Sequence, residues 1–173
     1  PFAPARWFYD GYVGLLRGTP FLIQVFLLYY GGPGLGIRLS ATTTALIGLS
    51  VYGSAYFAEI FRAGFEAVPR GQWEAARATN LTVRQTWVHV VLPQAVPPMI
   101  PAMANYVLAM FKETPLLSAI TVMELMGQAR SVANSTYRYV EPITLVGVCF
   151  LIVSIISVVG LRWLERRFGR FGK

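Results

Sequence analysis

Residues 74–93 begin with Glu74-Ala75-Ala76-Arg77-Ala78-Thr79-Asn80-Leu81 and end with Val90-Val91-Leu92-Pro93. The segment is polar and basic, and long apolar runs flank it on both sides. Because polar groups without partners are costly in a hydrocarbon core, the segment must lie in water beside a membrane. A helix surface of small residues in that position favours docking of a partner protein. The alternative is a well-capped loop that only connects two membrane spans.

The flanking runs are long enough to cross a bilayer as helices. Four uncharged runs cover residues 18–37, 39–58, 90–111 and 142–161. At a rise of about 1.5 Å per residue, about 20 residues cross a hydrocarbon core of about 30 Å. The composition agrees, since 55% of the residues are hydrophobic and only 13% are charged. The sequence therefore predicts an all-α integral membrane protein, a bundle of four transmembrane helices with a cytoplasmic helix between the second and third.

Prolines and glycines predict that two of these spans are irregular. The first span has a short apolar core, residues 21–30, which ends at the breaker Gly31-Gly32-Pro33-Gly34. The third span carries Pro93, Pro97, Pro98 and Pro101. We expect these prolines to interrupt its cytoplasmic half, which is tolerated only where the helix meets protein or lines a cavity. Residues 1–17 mix polar and aromatic side chains and predict a short interfacial helix on the cytoplasmic side.

The net charge of +7 follows from membrane topology. If the spans alternate in direction, most of the 15 Lys and Arg residues fall on one side. That side receives Arg6, Arg17, Arg62, Arg70, Arg77, Arg84, Arg162, Arg166, Arg167, Arg170 and Lys173, and the other receives Arg38, Lys112, Arg130 and Arg138. A basic excess marks the cytoplasmic side, so residues 62–90 and the C-terminus are predicted to be cytoplasmic. Residues 162–167 are typical of an interfacial anchor on lipid, and nucleic acid is not expected as a partner.

Residues 66–91 predict two short helices joined by a tight turn. Pro69 suits a helix start, and residues 70–79 can form about three turns. Asn80 tolerates the left-handed conformation that ends such a helix, and Thr82 with Gln85 matches a capping box. The first helix is expected to present a smooth surface formed by Ala75, Ala76 and Ala78. The second is expected to gather its apolar side chains on one face: Val83, Trp87, Val90 and Val91.

This segment resembles the EAA loop of ABC-importer permeases. The family pattern is Glu-Ala-Ala, three residues, Gly, nine residues, Ile, one residue and Leu-Pro. In this chain Glu74-Ala75-Ala76 and Leu92-Pro93 match at the required spacing. Two positions depart, since Asn80 replaces glycine and Val90 replaces isoleucine. Asn keeps access to the left-handed conformation and Val keeps the apolar character, so both departures are compatible with the pattern.

The resemblance extends over nearly the whole chain. The segments Arg17-Gly18-Thr19-Pro20, Val68-Pro69-Arg70-Gly71-Gln72 and Lys112-Glu113-Thr114-Pro115-Leu116-Leu117 are similar to the polar amino acid uptake branch. Within that branch, Pro97-Pro98-Met99-Ile100-Pro101 and Glu124-Leu125-Met126 are most similar to ectoine/hydroxyectoine permease subunits. Members of the family have five spans, and this chain begins at Pro1 rather than Met. The resemblance therefore implies that residues 1–173 form a single permease domain from which a first span is missing.

The resemblance also implies a set of partners in a bacterial inner membrane. A periplasmic binding protein would deliver solute, a second permease subunit, identical or related, would complete the path, and separate ATPase subunits would bind ATP-Mg and hydrolyse ATP. Glu74, Ala75 and Ala76 would lie at the ATPase contact, with Asn80 shaping the turn. The chain lacks a Gly-x-x-x-x-Gly-Lys-Ser/Thr phosphate loop, so no enzymatic activity and no cofactor are expected in this subunit.

Polar groups at membrane depth are candidates for the solute path, because each is costly unless paired. The candidates are Lys112, Glu113, Thr114, Asn105 and Gln24. Lys112 and Glu113 would supply the cation and the anion that a zwitterionic solute needs, or they could simply anchor the helix end at the interface. Gln24 could instead form a hydrogen bond between helices.

Other functional classes find less support in the residues. His89 is the single histidine and Cys149 the single cysteine, so neither a metal cluster nor a disulfide framework is expected. An intramembrane enzyme would need paired carboxylates or a Ser-His arrangement, which one histidine and one aspartate scarcely provide. An ion-coupled secondary transporter remains the main alternative, although it would not need a cytoplasmic loop surfaced with alanine.

Overall fold

The computed structural model describes residues 3–168, with side chains described through residue 163, and no strand occurs within that range. The helices are α1 Ala3–Gly18, α2 Phe21–Phe26, α3 Ala41–Glu66, α4 Arg70–Ala78, α5 Val83–Gln85, α6 Leu92–Glu113, α7 Leu125–Thr136 and α8 Val140–Phe168. Two π-helical turns, Leu27–Gly31 and Thr86–Val91, and two 3₁₀ segments, Gly32–Leu35 and Thr114–Ile120, join them. The all-α membrane fold is thereby confirmed. The prediction of an anchor at residues 162–167 lies mostly outside the described side chains.

Two helices are long and apolar enough to cross a membrane by themselves. They are Ala41–Glu66, with 26 residues, and Val140–Trp163, with 24 residues, and they contain the second and fourth predicted spans. The other two candidates are bent pairs rather than straight helices. Ala3–Gly18 meets Phe21–Leu35 at 98°, and Val83–Ile120 meets Leu125–Thr136 at 44°. By length and composition, the described residues reach four spans only if each bent pair counts as one.

The expected proline interruption of the third span is wrong. Helix α6 continues without a break through Pro97, Pro98 and Pro101. The irregularity instead precedes the prolines, as the π-helical turn Thr86–Val91. A proline ring collides with the carbonyl four residues before it, and a wider turn moves that carbonyl away from the ring of Pro93. Membrane helices tolerate proline in this way because neighbouring groups and local π geometry satisfy the backbone.

The chain divides into two compact units. The first contains the residues up to Tyr56 together with Leu108–Ile156. Its buried core is formed by Phe21, Val25, Ala45, Tyr52, Leu117 and Ile120. In this core a Cβ atom at Gly48 would lie 2.6 Å from Val25 Cγ1, so α2 and α3 approach each other as only a small residue permits.

The second unit contains Phe57–Val107 together with the residues from Ser157 onward. Its buried core is formed by Val68, Val91, Ala95 and Met99. A Cβ atom at Gly64 would lie 2.5 Å from Met99 Cγ, so α3 and α6 also meet at a glycine. The segment that resembles the EAA loop lies wholly in this unit. The single permease domain expected over residues 1–173 stays a prediction.

Candidate functional site

Helix α4 ends in a Schellman motif centred on Asn80. The backbone N–H of Asn80 donates to the carbonyl of Arg77 at 3.0 Å, and that of Leu81 donates to the carbonyl of Ala76 at 3.1 Å. Asn80 has φ 55°, in the left-handed region. These two bonds and this backbone angle define the motif, in which glycine is the preferred residue at the left-handed position. The prediction that Asn80 ends the helix in this conformation is confirmed.

The second helix begins at the predicted capping box. The backbone N–H of Gln85 donates to Thr82 Oγ1 at 3.3 Å, and Gln85 Oε1 accepts from the backbone N–H of Thr82 at 2.9 Å. Both halves of the capping box are therefore present. Because each bond joins residues only three apart, the box depends on the local sequence and needs no tertiary contact. Asn80 and Thr82 together fix the turn between α4 and α5 from both ends.

The predicted apolar face of the second helix is wrong in its phase. Val83 is 77% exposed, whereas Val91 is fully buried and Thr86 is 8% exposed. The buried positions follow a different spacing: Thr86, Val91, Ala95 and Met99. The first interval has five residues and the next two have four, because the π-helical turn Thr86–Val91 contains one residue more than an α-helical turn. A strict 3.6-residue period cannot describe a helix that contains such a turn.

An aromatic cluster lies behind α4 and holds it in place; we call Phe65, Trp73 and Trp87 the aromatic brace. The ring of Trp87 contacts Trp73 and Phe65 edge-to-face, with both pairs of centroids 5.4 Å apart. Each member comes from a different segment: the end of α3, α4, and the π-helical turn. Gln94 Nε2 adds a hydrogen bond to Gln72 Oε1 at 3.2 Å. The brace therefore links α4 to both neighbouring helices.

The exposed surface of α4 is narrower than predicted. Glu74, Ala75 and Ala78 are exposed, but Ala76 is only 3% exposed and faces the interior of the second unit. Ala76 is therefore placed to support the turn from inside, through its carbonyl, rather than to contact a partner. Among the side chains that the structure describes, none forms an ion pair with Glu74. At the end of the motif, Leu92 is half-buried and Pro93 is exposed.

The candidate solute-path residues differ in exposure and in hydrogen bonding. Lys112 is exposed, while Glu113 is half-buried with an Oε2 atom that has no hydrogen-bond partner among the described residues. Consecutive residues of a helix point about 100° apart, so the two side chains leave α6 in different directions. Thr114 Oγ1 donates to the carbonyl of Phe111 at 2.8 Å, and Asn105 is exposed. Among these candidates, Glu113 is the one with a buried side-chain atom that has no described hydrogen-bond partner.

Gln24 has a structural role, which was the alternative open from the sequence. Its Nε2 donates to the carbonyl of Leu16 at 2.8 Å, to the carbonyl of Thr19 at 3.1 Å, and to Thr19 Oγ1 at 2.8 Å. All three acceptors lie at the end of α1 or in the link to α2. Gln24 therefore stabilises the bend between these helices through its amide nitrogen, and its role in the solute path stays a prediction.

The sequence did not reveal the aromatic brace or the cap of α7. Glu124 accepts hydrogen bonds from the backbone N–H groups of Met126 and Gly127 at 2.7 and 2.8 Å. The signal for this cap was a carboxylate just before an apolar helix start. No such signal existed for the brace, because Phe65, Trp73 and Trp87 follow no common period. In the part of the chain that the structure describes, no group of His, Cys, Asp or Glu side chains could hold a metal ion.

Comparisons with known proteins find relatives of this chain among amino-acid permease proteins. The chain is 39% identical over 145 residues to a probable amino-acid ABC transporter permease protein of Sinorhizobium fredii, covering 84% of this chain and 63% of that relative. It is 35% identical to a probable glutamine ABC transporter permease protein of Bacillus subtilis, covering 96% of this chain and 77% of that relative. A crystal structure of an amino acid ABC transporter with histidines is similar, with a TM-score of 0.91 and 35% identity over 96% of this chain and 78% of that chain.

A family model matches nearly the whole chain. The model described as the inner membrane component of binding-protein-dependent transport systems matches residues 1–170. That range includes the capped helical pair, the aromatic brace and the two helices that can cross a membrane unaided. The chain belongs to the family of inner membrane components of binding-protein-dependent transport systems.

Proposed function

We propose that this chain is the permease subunit of a bacterial ABC importer for a polar amino acid, and that α4 docks a separate ATPase. The observation that carries the proposal is the exposed Glu74–Ala75 surface on a helix closed by the Schellman motif at Asn80. A short helix is marginal in water without such support. The cap, the turn and the brace all stabilise a surface that serves no interior packing, as expected for a docking element.

The aromatic brace gives a route by which movement of α4 could reach the membrane helices. Trp73 belongs to α4, and Trp87 precedes α6 directly through the π-helical turn. Aromatic pairs at this spacing are worth about 0.5–1.5 kcal/mol each beyond the area they bury. A push on α4 by an ATPase would therefore displace Trp87 and Phe65 rather than bend α4 alone. This chain would then transmit the motion, while the partner subunit hydrolyses ATP.

An amino acid is the proposed class of solute, because the relatives from Sinorhizobium fredii and Bacillus subtilis are described as amino-acid and glutamine permease proteins. A finer assignment to ectoine or hydroxyectoine rests on two segments, 97–101 and 124–126. Met99 lies in the apolar core and Glu124 caps α7, so both act in folding rather than in a solute path. We therefore keep ectoine as a solute to test beside amino acids.

Glu113 is the proposed contact for the solute within this chain. Its buried Oε2 atom lacks a partner among the described residues, and an unpaired carboxylate oxygen at membrane depth is costly. The ammonium group of an amino acid would supply the missing donor. Lys112, Thr114, Asn105 and Gln24 would then lie along the path without contacting the same atom.

The proposed assembly follows from the charge distribution and the family. The distribution of basic residues supports a cytoplasmic position for α4 and the C-terminus, where an ATPase would meet Glu74. A second permease subunit and an external binding protein would complete the importer. An ion-coupled transporter would lack the ATPase, so uptake that survives a protonophore but requires ATP inside proteoliposomes supports the importer.

Charge reversal on α4 tests the proposal directly. We expect Glu74→Arg to reduce co-purification with the ATPase and substrate-stimulated ATP hydrolysis at least tenfold, because the exposed carboxylate lies at the centre of the proposed contact. The matched control is Glu141→Arg, which reverses another exposed carboxylate, at the start of α8 on the predicted opposite side. The control should retain ATPase binding. Retention of both activities by Glu74→Arg would remove the basis of the proposed docking role.

A further inference from the structure

Helix α1 carries three different faces, and one of them is apolar and uncovered. At about 100° per residue, Val13 and Leu16 lie on one face and are buried within the first unit. The three charged residues of the helix, Arg6, Asp10 and Arg17, fall within an arc of about 40° on a second face. The third face carries large apolar side chains that are exposed: Trp7, Phe8 and Leu15.

Hydrogen bonds within the first unit fix α1 in its orientation. Tyr12 Oη lies 2.6 Å from Ser54 Oγ, which joins α1 to α3. The three hydrogen bonds of Gln24 hold the end of α1 against the start of α2, where the chain bends by 98°. The bend between α1 and α2 is therefore stabilised by specific hydrogen bonds.

A bend of 98° determines how α1 lies relative to a bilayer. If the helical segment Phe21–Leu35 runs along the membrane normal, a helix at right angles to it runs in the plane of the membrane. Such a helix meets protein, water and lipid on different sides, which matches the buried, charged and exposed apolar faces of α1. Amphipathic helices in this position bury their apolar face about 5–10 Å into the boundary between head groups and acyl chains.

We propose that α1 is an interfacial lipid-binding helix whose Trp7, Phe8 and Leu15 insert into the cytoplasmic leaflet of the bilayer. Trp7 is 84% exposed and Phe8 72% exposed, a degree of exposure that two adjacent aromatic side chains rarely show in water. Tryptophan prefers the head-group level of a membrane. The two aromatic residues and Leu15 line an open cavity of about 460 Å³ together with Gly11, Tyr12 and, at the charged edge, Asp10, so an acyl chain could lie along its apolar part with a head group beside Asp10.

The charged face selects lipid over a second protein as the occupant. Arg6 Nε lies 3.8 Å from a carboxylate oxygen of Asp10, and both side chains are more than half exposed. At the edge of the apolar face, this pair would lie at the level of the phosphate groups. A protein covering Trp7 and Phe8 would leave these charges at the rim of an apolar contact. A bilayer instead offers hydrocarbon to the apolar face and charged head groups to the charged face beside it.

Spin labels measure the position of each face in a membrane. The full-length subunit with its transport partners is reconstituted in lipid nanodiscs, in a Cys149→Ala background, with one label introduced by Trp7→Cys, Phe8→Cys or Leu15→Cys. Arg6→Cys on the charged face of the same helix is the matched control. We expect the ratio of oxygen to nickel-complex accessibility to be at least threefold higher at positions 7, 8 and 15 than at position 6.

Two results would overturn the proposal. Equal accessibility ratios at positions 7 and 6 would place the apolar face in water, and immobile labels that neither reagent reaches would place it against a protein. The unlabelled protein offers a second measurement in case a cysteine variant does not assemble. Lipids brominated near the head group should quench tryptophan fluorescence in the wild type measurably more than in Trp7→Phe, and equal quenching contradicts insertion. Neither measurement depends on ATPase docking, so the proposed transport function can fail or hold independently.

Discussion

The left-handed backbone at Asn80 leads to a quantitative prediction for the turn after α4. An L-residue with a Cβ atom pays about 1–2 kcal/mol in this conformation, and asparagine avoids part of that cost. Asn80 has φ 55° and its N–H donates to the carbonyl of Arg77. We therefore expect Asn80→Ala to destabilise the closed turn by about 1 kcal/mol, which raises its open population about fivefold. Asn80→Val, which adds a β-branch, should cost about 2 kcal/mol.

Replacement by glycine separates backbone strain from side-chain chemistry. Asn80→Gly removes the strain altogether but adds conformational entropy to the open state, so we expect a net change within about 0.5 kcal/mol. If the side chain of Asn80 mattered through a contact of its own, alanine and glycine would be equally harmful. Destabilisation of the turn that increases from Gly to Ala to Val would therefore indicate that the left-handed backbone conformation is required, and not a contact of the side chain.

Amide hydrogen exchange of the reconstituted subunit measures this order. The informative amides are those of residues 80 and 81, which donate at 3.0 and 3.1 Å in the closed turn. We expect exchange about fivefold faster in Asn80→Ala than in the wild type, and nearly unchanged in Asn80→Gly. Gly71→Ala is the control, since a Cβ atom there meets nothing within 4 Å and should leave the turn intact. Equal exchange rates in Asn80→Ala and Asn80→Gly would refute the reasoning.

Two further changes test the proposed solute contact and the bend of α1. Glu113→Gln should lower the apparent affinity of amino acid uptake at least tenfold, because the amide has no charge to pair with an ammonium group. ATPase binding should stay intact. Unchanged uptake would remove Glu113 from the path. Gln24→Leu should lower the free energy of unfolding by about 1–3 kcal/mol, because the carbonyls of Leu16 and Thr19 lose a donor. Thermal unfolding of the solubilised subunit measures this, with the exposed Gln128→Leu as control, and equal midpoints for the two variants would contradict it.

Local sequence was sufficient to predict the turn between α4 and α5. The left-handed residue Asn80 and the capping box of Thr82 and Gln85 act over three or four residues, and the structure confirms each of them. The same local rules could not separate Ala75 from Ala76. Both have the same side chain, and only the packing of α4 on the rest of the second unit makes one exposed and the other buried.

Errors in the second loop helix and in the third span had a different origin. A strict helical period placed Val83 on the buried face, whereas the π-helical turn moved burial to Thr86 and Val91. The rule that proline breaks a helix failed for Pro97 and its neighbours, since α6 continues through them. The joint site suggested by the charges of Lys112 and Glu113 stays a prediction. Hydropathy was sufficient to locate these helical segments in the sequence. Which face of each helix is buried depends on the helices packed against it.

The π-helical turn at Thr86–Val91 holds one residue more than an α-helical turn while Val91, Ala95 and Met99 still face the core of the second unit. Deleting one residue within this turn would allow an α-helical turn and leave Ala95 and Met99 directed toward Val68. Deleting one residue between Ala95 and Met99, where the helix is α-helical, would instead rotate Met99 by about 100°. The turn is therefore the place in this helix where a change of length by one residue would least disturb the packing that follows it.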